Sequence, residues 1–463
     1  MIVLSLGLFT MACRGVTDPD VWWHLRTGQL IAHNHRVFHT DPYSFTRAGQ
    51  TWVNHEWLSE LFLFGVYQAA GWGGLIVIFG AVIAAAFFIV FLRCRGRPYV
   101  AGLVTVWGAL ASVPSWGVRP QMLTFLLASV FLFLLERSEQ KPSLIWWTVP
   151  LMLLWVNLHA GYILGIGLMV LFLAGGVLDR VFGAGESSNL NSLGLTIIAC
   201  LAVVPLNPNG WRMFWYPLVT LRSAAMQSYI HEWFSPDFHR PAYFPLLLMM
   251  LATMALLPAS SQRVSPRQLL LMTVTMFAAL VSVRHIPIFV LIAVPVLSGL
   301  VQAQFQIRGV SLQKGPLRLA VNAIVLAALV VFMGVRLREV ITQQKATEAR
   351  SFPAAAVAFL SKAQPPGPIL NHYNWGGYFI WKLYPQYRVY IDGRADLYGD
   401  AFMEEFVATY HLRGAAWQAP LEKWGIQTVV LPPESPMVTA LRASPGWKPI
   451  YSDSLAEILT RSP

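Results

Sequence analysis

The sequence predicts an all-α polytopic membrane protein that ends in a small α/β domain, and three observations carry that prediction. Of its 463 residues, 56% are hydrophobic and only 12% are charged, where a soluble domain carries roughly 25% charged residues. The apolar residues come in runs of span length. Many of the 18 tryptophans stand near the ends of those runs, where an amphipathic ring favours the membrane interface. At a mean hydropathy of +0.53, so much apolar surface needs the bilayer as its solvent.

A crossing helix needs roughly 17–25 mostly apolar residues. Segments 73–93, 99–116, 121–136, 143–158, 161–178, 193–206, 242–258, 268–283, 286–302 and 317–335 meet or approach that length. Segments 143–158 and 193–206 are short, and are expected to tilt little or to end inside the protein. The run Ile2–Ala12, extended by snorkelling of Arg14, counts as the first crossing, which brings the total to about eleven spans. Arg93, Arg95 and Arg97 cluster after the second span. Arg137, Lys141, Arg180, Arg263, Arg267, Arg308, Lys314 and Arg318 mark later loops on the same side. The positive-inside rule places that side in the cytoplasm. Segment 13–72, the loops near 119, 207–241 and 284, and the C-terminal domain then face outward.

Within segment 13–72, Asp20–His33 reads as an amphipathic helix and Trp57–Ala70 as a second. Turn chemistry at Asp41-Pro42-Tyr43-Ser44 and Ala48-Gly49-Gln50 separates them. Both helices are expected on the outer membrane surface. After Arg336 charged residues return. Segments 368–370, 387–391 and 428–431 read as short buried strands, and 375–383, 401–410 and 421–424 as helices. The chain thus divides into a transmembrane domain, 1–335, with its first outer loop 13–72, and a soluble α/β domain, 336–463.

The net charge of +11 fits attraction to anionic lipid or a phosphate-bearing substrate. It equally fits the ordinary basic excess of cytoplasmic loops. Cys13, Cys94 and Cys200 make no CxxC pair and lie in or beside apolar runs, which argues against a disulfide framework or a zinc site. No P-loop, GxGxxG or HExxH is present, so a nucleotide-driven pump or a zinc protease lacks support. No nucleic-acid partner is expected.

A charge at membrane depth is expensive and asks for a reason. Asp18 and Asp20, His55 and Glu56, Arg119, Asn157 and His159, Asn207 and Arg212, His231 and Glu232, and Arg284 and His285 all fall at the outer ends of spans. Each alone reads as an interfacial residue satisfied by water or headgroups. Together they suggest one outward-facing polar cavity. Asp18-Pro19-Asp20 offers a general base. The same two carboxylates suit a divalent cation, Mg or Mn, and Asp20 suits the N-cap of the following helix. Arg119 and Arg284, with His285, suit a lipid-linked phosphate through bidentate guanidinium contacts, or snorkel to headgroups. His159, in Asn157-Leu158-His159-Ala160-Gly161, sits at a break between short apolar runs that should line protein or a watery cavity. It suits a proton shuttle, an acceptor contact or a buried structural role. In the C-terminal domain Asn374-Trp375-Gly376-Gly377-Tyr378 and Asp392-Gly393-Arg394-Ala395-Asp396-Leu397-Tyr398-Gly399 stand out. The second follows an expected strand, where α/β folds place binding loops. Asp392, Arg394, Asp396 and Tyr398 suit either a sugar or an Asp–Arg network that holds the domain in place.

At these residues the sequence resembles the GT-C superfamily of membrane glycosyltransferases, which includes protein O-mannosyltransferases and the aminoarabinose transferases of lipid A. Asp18-Pro19-Asp20 lies at the position of the family's acidic motif. His24–Ile31 is similar to its first surface helix, and Arg119-Pro120 resembles an Arg-Pro at a later helix mouth. The stretches DPDVWWHLRTGQLI, HEWL, RPQ, NLHAGYILG, NPNGW and NWGGYFIWKLYP…DGRADLYG are also similar to uncharacterised bacterial membrane proteins of this type, over nearly the whole chain. The chain departs from the mannosyltransferases in carrying DPD for Asp-Glu and His55-Glu56-Trp57 for Lys/Arg-Pro-Pro. The resemblance implies a transferase of the bacterial cytoplasmic membrane. It would move a sugar from a polyprenyl-phosphate donor to a lipid, glycan or protein acceptor on the outer face. Asp18 or Asp20 would be the base. Arg119, Arg284 and His285 would hold the donor phosphate. His55, Glu56, Asn157, His159, Arg212 and Glu232 would line the acceptor side. A non-catalytic transporter or assembly component for lipid or polysaccharide is the alternative.

Overall fold

Apolar runs of fixed length leave the backbone one way to satisfy its own polar groups in lipid, the helix, and each segment expected to span folds as one. The structure, a computed structural model, describes residues 1–184, 189–305 and 316–462, with side chains from 319 onward in the last. Arg308 and Lys314 therefore lie outside the described residues. In chain order come α1 (Ile2–Ala12), α2 (Val21–Asn34), α3 (Trp57–Arg93), α4 (Pro98–Ser112), α5 (Gln121–Ser138), α6 (Thr148–Leu158), α7 (Tyr162–Val181) and α8 (Leu190–Val203). Then follow α9 (Arg212–Arg222), α10 (Ala224–Tyr229), α11 (Phe244–Ala259), α12 (Pro266–Val281), α13 (Ile286–Gln304) and α14 (Pro316–Ser351). The remainder holds α15 (Ala354–Ala363), β1 (Ile369–Asn371), α16 (Gly376–Leu383), α17 (Ala395–Tyr410), α18 (Ala419–Lys423), β2 (Thr428–Leu431), α19 (Pro436–Arg442), β3 (Trp447–Ser452) and β4 (Glu457–Arg461). Among the described residues six helices are long and apolar enough to cross a membrane: Trp57–Arg93, Gln121–Ser138, Tyr162–Val181, Pro241–Ala259, Val283–Gln304 and Leu319–Ser351.

The chain forms two compact units. The first comprises Met1–Arg14, Ile76–Met213 and Ile230–Ile341. Its core is α13, on which Ile286, Phe289, Val290, Leu291, Ala293, Val294, Leu297 and Leu300 are fully buried. Helix α4 approaches so closely that a Cβ on Gly108 would overlap Val294 and stand 2.9 Å from Val290 Cγ1. Small residues of this kind let helices pack where lipid supplies no hydrophobic drive. Leu103, Ile198, Met254 and Phe277 point outward, each more than 60% exposed, which is the inverse of a soluble surface.

The second unit comprises Gly15–Leu75, Phe214–Tyr229 and Thr342–Pro463. It is larger than the C-terminal segment that the composition marks, because the first outer segment packs within it. Strands run in the order β1-β2-β4-β3, parallel between β1 and β2 and antiparallel elsewhere. Segment 387–391, expected as a strand, does not join this sheet. Its Val389 pairs instead with the outer segment, donating its N–H to Tyr43 O at 3.1 Å and accepting from Phe45 N at 3.2 Å. Helix α2 lies so close to the start of α3 that a Cβ on Gly28 would overlap Glu60 O and stand 2.8 Å from Phe64 Cβ.

Candidate active site

In the second unit the acidic motif ends a turn and opens a helix. Asp18 Oδ1 accepts the backbone N–H of Asp20 at 2.9 Å. Asp20 occupies the N-cap position of α2, yet its side chain makes no capping bond, contrary to the capping expected of it. Its Oδ1 accepts from Trp23 Nε1 at 3.1 Å instead. The helix N-terminus still favours its negative charge.

One turn on, His24 is buried between two carboxylates. Its Nε2 lies 3.4 Å from Glu56 Oε2 and its Nδ1 3.7 Å from Glu60 Oε1. Glu56 Oε1 also meets His55 Nε2 at 2.8 Å, and Asn54 donates to Glu60 Oε2 at 2.8 Å. Burial alone disfavours both imidazolium ions, but Glu56, Glu60 and Asp20 more than offset it at His24. Glu56 and Asp396 do the same at His55. Both histidines are held above the ordinary imidazole range by the carboxylates beside them.

The C-terminal motif brings its residues to the same unit in two different roles. Arg394 donates to Asp392 from Nε at 2.8 Å and from Nη2 at 2.7 Å, and pairs with Asp41 at 2.8 Å. Tyr398 OH donates to Asp392 Oδ2 at 2.7 Å. The guanidinium lies over Tyr43 and Trp52, with 5.0 and 4.7 Å to the ring centroids. Asp392, Arg394 and Tyr398 are closed on one another in the interior. Asp396 differs. It is half-buried and accepts from Tyr216 OH at 3.1 Å. Burial raises its pKa, although His55, Tyr216 and Arg394 oppose the rise. The ring of Tyr216 lies 4.4 Å from that of His55.

In the first unit Arg119 Nη1 donates to Glu232. Burial pushes the Glu232 carboxyl up, but Arg119 and Arg284 hold it below the ordinary range. Arg284 lies over Trp233, 5.2 Å from the ring centroid, and Ser282 Oγ donates to Glu232 O at 2.8 Å. Arg119, Glu232 and Arg284 thus form one group. His159 Nδ1 meets Thr124 Oγ1 at 2.9 Å and accepts the Gly161 N–H at 2.9 Å. Trp155 also donates to Thr124, at 2.8 Å. His285 Nδ1 is buried and makes no hydrogen bond among the described residues. Asn157 donates to Leu153 O at 2.8 Å, back along its own helix. Asn207 donates to Val156 O at 2.9 Å. Arg212 is exposed.

Among the described residues no group of three or more His, Cys, Asp or Glu side chains is placed to hold a metal ion. Sequence reasoning missed His24, Glu60, Asp41 and Tyr216. The Glu56–Glu60 spacing of four, which puts two carboxylates on one helical face, is the signal that was available for Glu60.

No family model matches the chain, and no curated protein matches it at a significant level. Solved structures do match. The archaeal oligosaccharyltransferase AglB of Archaeoglobus fulgidus, in complex with an inhibitory peptide and a dolichol-phosphate, is similar with a TM-score of 0.61 at 10% identity, over 93% of this chain and 68% of its own. The apo Archaeoglobus fulgidus oligosaccharyltransferase gives 0.56 at 11%, over 93% and 69%. ArnT of Cupriavidus metallidurans in the apo state gives 0.52 at 14%, over 98% and 95%. The chain therefore shares the fold of these oligosaccharyltransferase and ArnT structures, and its long apolar helices are those of a multi-pass membrane protein.

Proposed function

We propose that the protein transfers a sugar from a polyprenyl-phosphate-linked donor to an acceptor hydroxyl or amine on the extracytoplasmic face of the bacterial cytoplasmic membrane. The observation that carries this reading is the placement of Asp18-Pro19-Asp20. Asp20 is half-buried and oriented by Trp23, within a fold shared with lipid-linked glycosyltransferases. Asp20, aided by Asp18, takes the acceptor proton as the acceptor atom attacks the anomeric carbon. The bond from that carbon to the phosphate oxygen breaks, the configuration inverts, and the polyprenyl phosphate leaves. Arg119 and Arg284, with His285, receive the phosphate charge, and Glu232 orients Arg119 meanwhile. His55, Glu56 and Asp396 supply polar contacts to the acceptor, as do Asn157, His159 and Arg212. A Mg or Mn ion at Asp18 and Asp20 would draw the rest of its shell from phosphate and water oxygens; no step depends on one. That the archaeal oligosaccharyltransferase was solved with a dolichol-phosphate supports a lipid phosphate as the leaving group. The same reading keeps about eleven crossings, with residues 336–463 as a soluble domain on the outer face.

Asp18→Asn and Asp20→Asn test the reading in a membrane assay with labelled lipid donor. Loss of the general base is expected to lower the transfer rate by about 10²–10⁴-fold in at least one variant. Wild-type rates in both would remove the base and the proposal with it.

A further inference from the structure

The glycine of the motif Asp392-Gly393-Arg394 is pressed directly onto the acidic motif. A Cβ built on Gly393 would overlap Asp20 Oδ1 and stand 2.9 Å from Asp20 Cγ. The neighbouring motif does the same one residue earlier: a Cβ on Gly377 would stand 2.5 Å from Pro19 O and 3.2 Å from Trp23 Cδ1. These two glycines, sixteen residues apart in sequence, thus form a floor against which Pro19 and Asp20 rest. The floor is itself fixed. Gly376 packs on Asp392, where a Cβ would lie 2.6 Å from Asp392 Cα. Arg394 ties Asp392 to Asp41 deep in the interior, and Tyr373 OH donates to Gly393 O at 3.3 Å. Against this floor the Trp23 indole donates to the same Asp20 oxygen.

We infer that the C-terminal segment is part of the machinery that aims Asp20, with Gly393 and Trp23 as positioning residues. Gly393 abuts the carboxylate at Oδ1 and Trp23 donates to the same oxygen, which together limit its rotation. This inference rests on Asp20 being the base. The buried ion pairs among Asp41, Asp392 and Arg394 then set the height of the floor, and fix the C-terminal loop to the first outer segment. A base must lie within hydrogen-bond reach of the proton it takes, and a misplacement of about 1 Å can lower a rate by roughly 10²-fold. The charged groups around Asp20 are Asp18 and His24 on its own segment, Glu56 and Glu60 beyond His24, and Asp392, Arg394 and Asp396 from the C-terminal loop.

The test uses the full-length protein in detergent or proteoliposomes. Gly393→Ala is compared with Gly334→Ala, where a Cβ meets nothing within 4 Å. Gly393→Ala is expected to lower kcat by roughly 10²-fold, with donor KM unchanged, and Gly334→Ala to change neither. Trp23→Phe keeps an aromatic ring but removes the donor, so the acid limb of the kcat/KM profile is expected to move to higher pH. Wild-type kcat in Gly393→Ala, or an unmoved acid limb in Trp23→Phe, overturns the positioning role. Should the wild-type protein transfer no sugar, the functional reading fails separately. The packing claim is then decided by hydrogen–deuterium exchange of residues 15–27. Faster exchange in Gly393→Ala than in Gly334→Ala supports it, and equal exchange overturns it.

Discussion

At the scale of single residues, His24 shows how a site reverses the usual effect of burial. An imidazole taken out of water loses its proton more readily, yet His24 and His55 are both held above the ordinary value of 6.5 by the carboxylates beside them. The consequence for stability has a definite sign. A group that binds its proton more tightly in the folded state stabilises the fold below its unfolded pKa, and that contribution is lost as pH rises through the folded pKa. The apparent melting temperature is therefore expected to fall as the pH is raised from about 6 to about 9. His24→Gln should be less stable at the lower pH and show a shallower decline. An identical slope in wild type and variant, measured by scanning fluorimetry, would refute the assignment. The two carboxylates of Asp18-Pro19-Asp20 were legible from sequence because charge near a membrane is costly enough to demand an account. His24 was not, because a histidine one turn into an amphipathic helix reads as a solvent-facing residue. Only the fold brings Glu56 and Glu60 across to it.

At the scale of elements, length and hydropathy made the apolar helices readable, six of them of span length among the described residues, since no other structure satisfies a long apolar backbone in lipid. The small sheet was less readable. Strand β3 is an exposed edge with an irregular burial pattern, so it carries no alternation for sequence reasoning to find. Segment 387–391 buries Val389, Tyr390 and Ile391 but spends its pairing on a partner from the distant outer segment. Helix α3 marks the junction between the two habits. It is broken at Gly71, where φ is 57° and ψ is −152°, a conformation essentially closed to residues with a Cβ. A Cβ there would meet no neighbour within 4 Å, so the penalty of Gly71→Ala is purely one of backbone. It is expected to destabilise the protein by about 1–3 kcal/mol. Gly65→Ala, in the regular helix and equally unobstructed, should be neutral or stabilising by about 0.5–1 kcal/mol. Paired thermal unfolding of the two variants checks this, and equal effects would show that the break at Gly71 is not required.

At the scale of the whole molecule, the sidedness of the C-terminal segment turns on the number of crossings after the Arg93–Arg97 loop, and that of the N-terminus on α1. Its 11 residues rise only about 16 Å as a helix, roughly half the hydrocarbon thickness of about 30 Å. Leu8 and Ala12 are nonetheless buried, so the helix is integrated into its unit. On the proposed reading, snorkelling of Arg14 at one end lets it count as a crossing. At the other end of the membrane region, α14 runs for 36 residues, or about 54 Å, enough to cross and to extend beyond the bilayer. With the Arg93–Arg97 loop inside, the proposed crossings α4–α8 and α11–α14, nine in all, would place Lys362 outside, and counting α1 would place the N-terminus inside. Cysteine substitutions decide it, because Cys13 and Cys200 are buried and Cys94 is half-buried, so the parent protein gives little background. Lys362→Cys, at an exposed position, is expected to react with a membrane-impermeant maleimide in intact spheroplasts. Gln140→Cys, also exposed, is expected to react only after permeabilisation. The reverse pattern would put the acidic motif in the cytoplasm, where a polyprenyl-linked donor would have to be presented on the inner leaflet. Protection of both sites until permeabilisation would instead require an even number of crossings between residues 140 and 362, and so remove one of α6, α7, α8, α11, α12, α13 and α14 from the count.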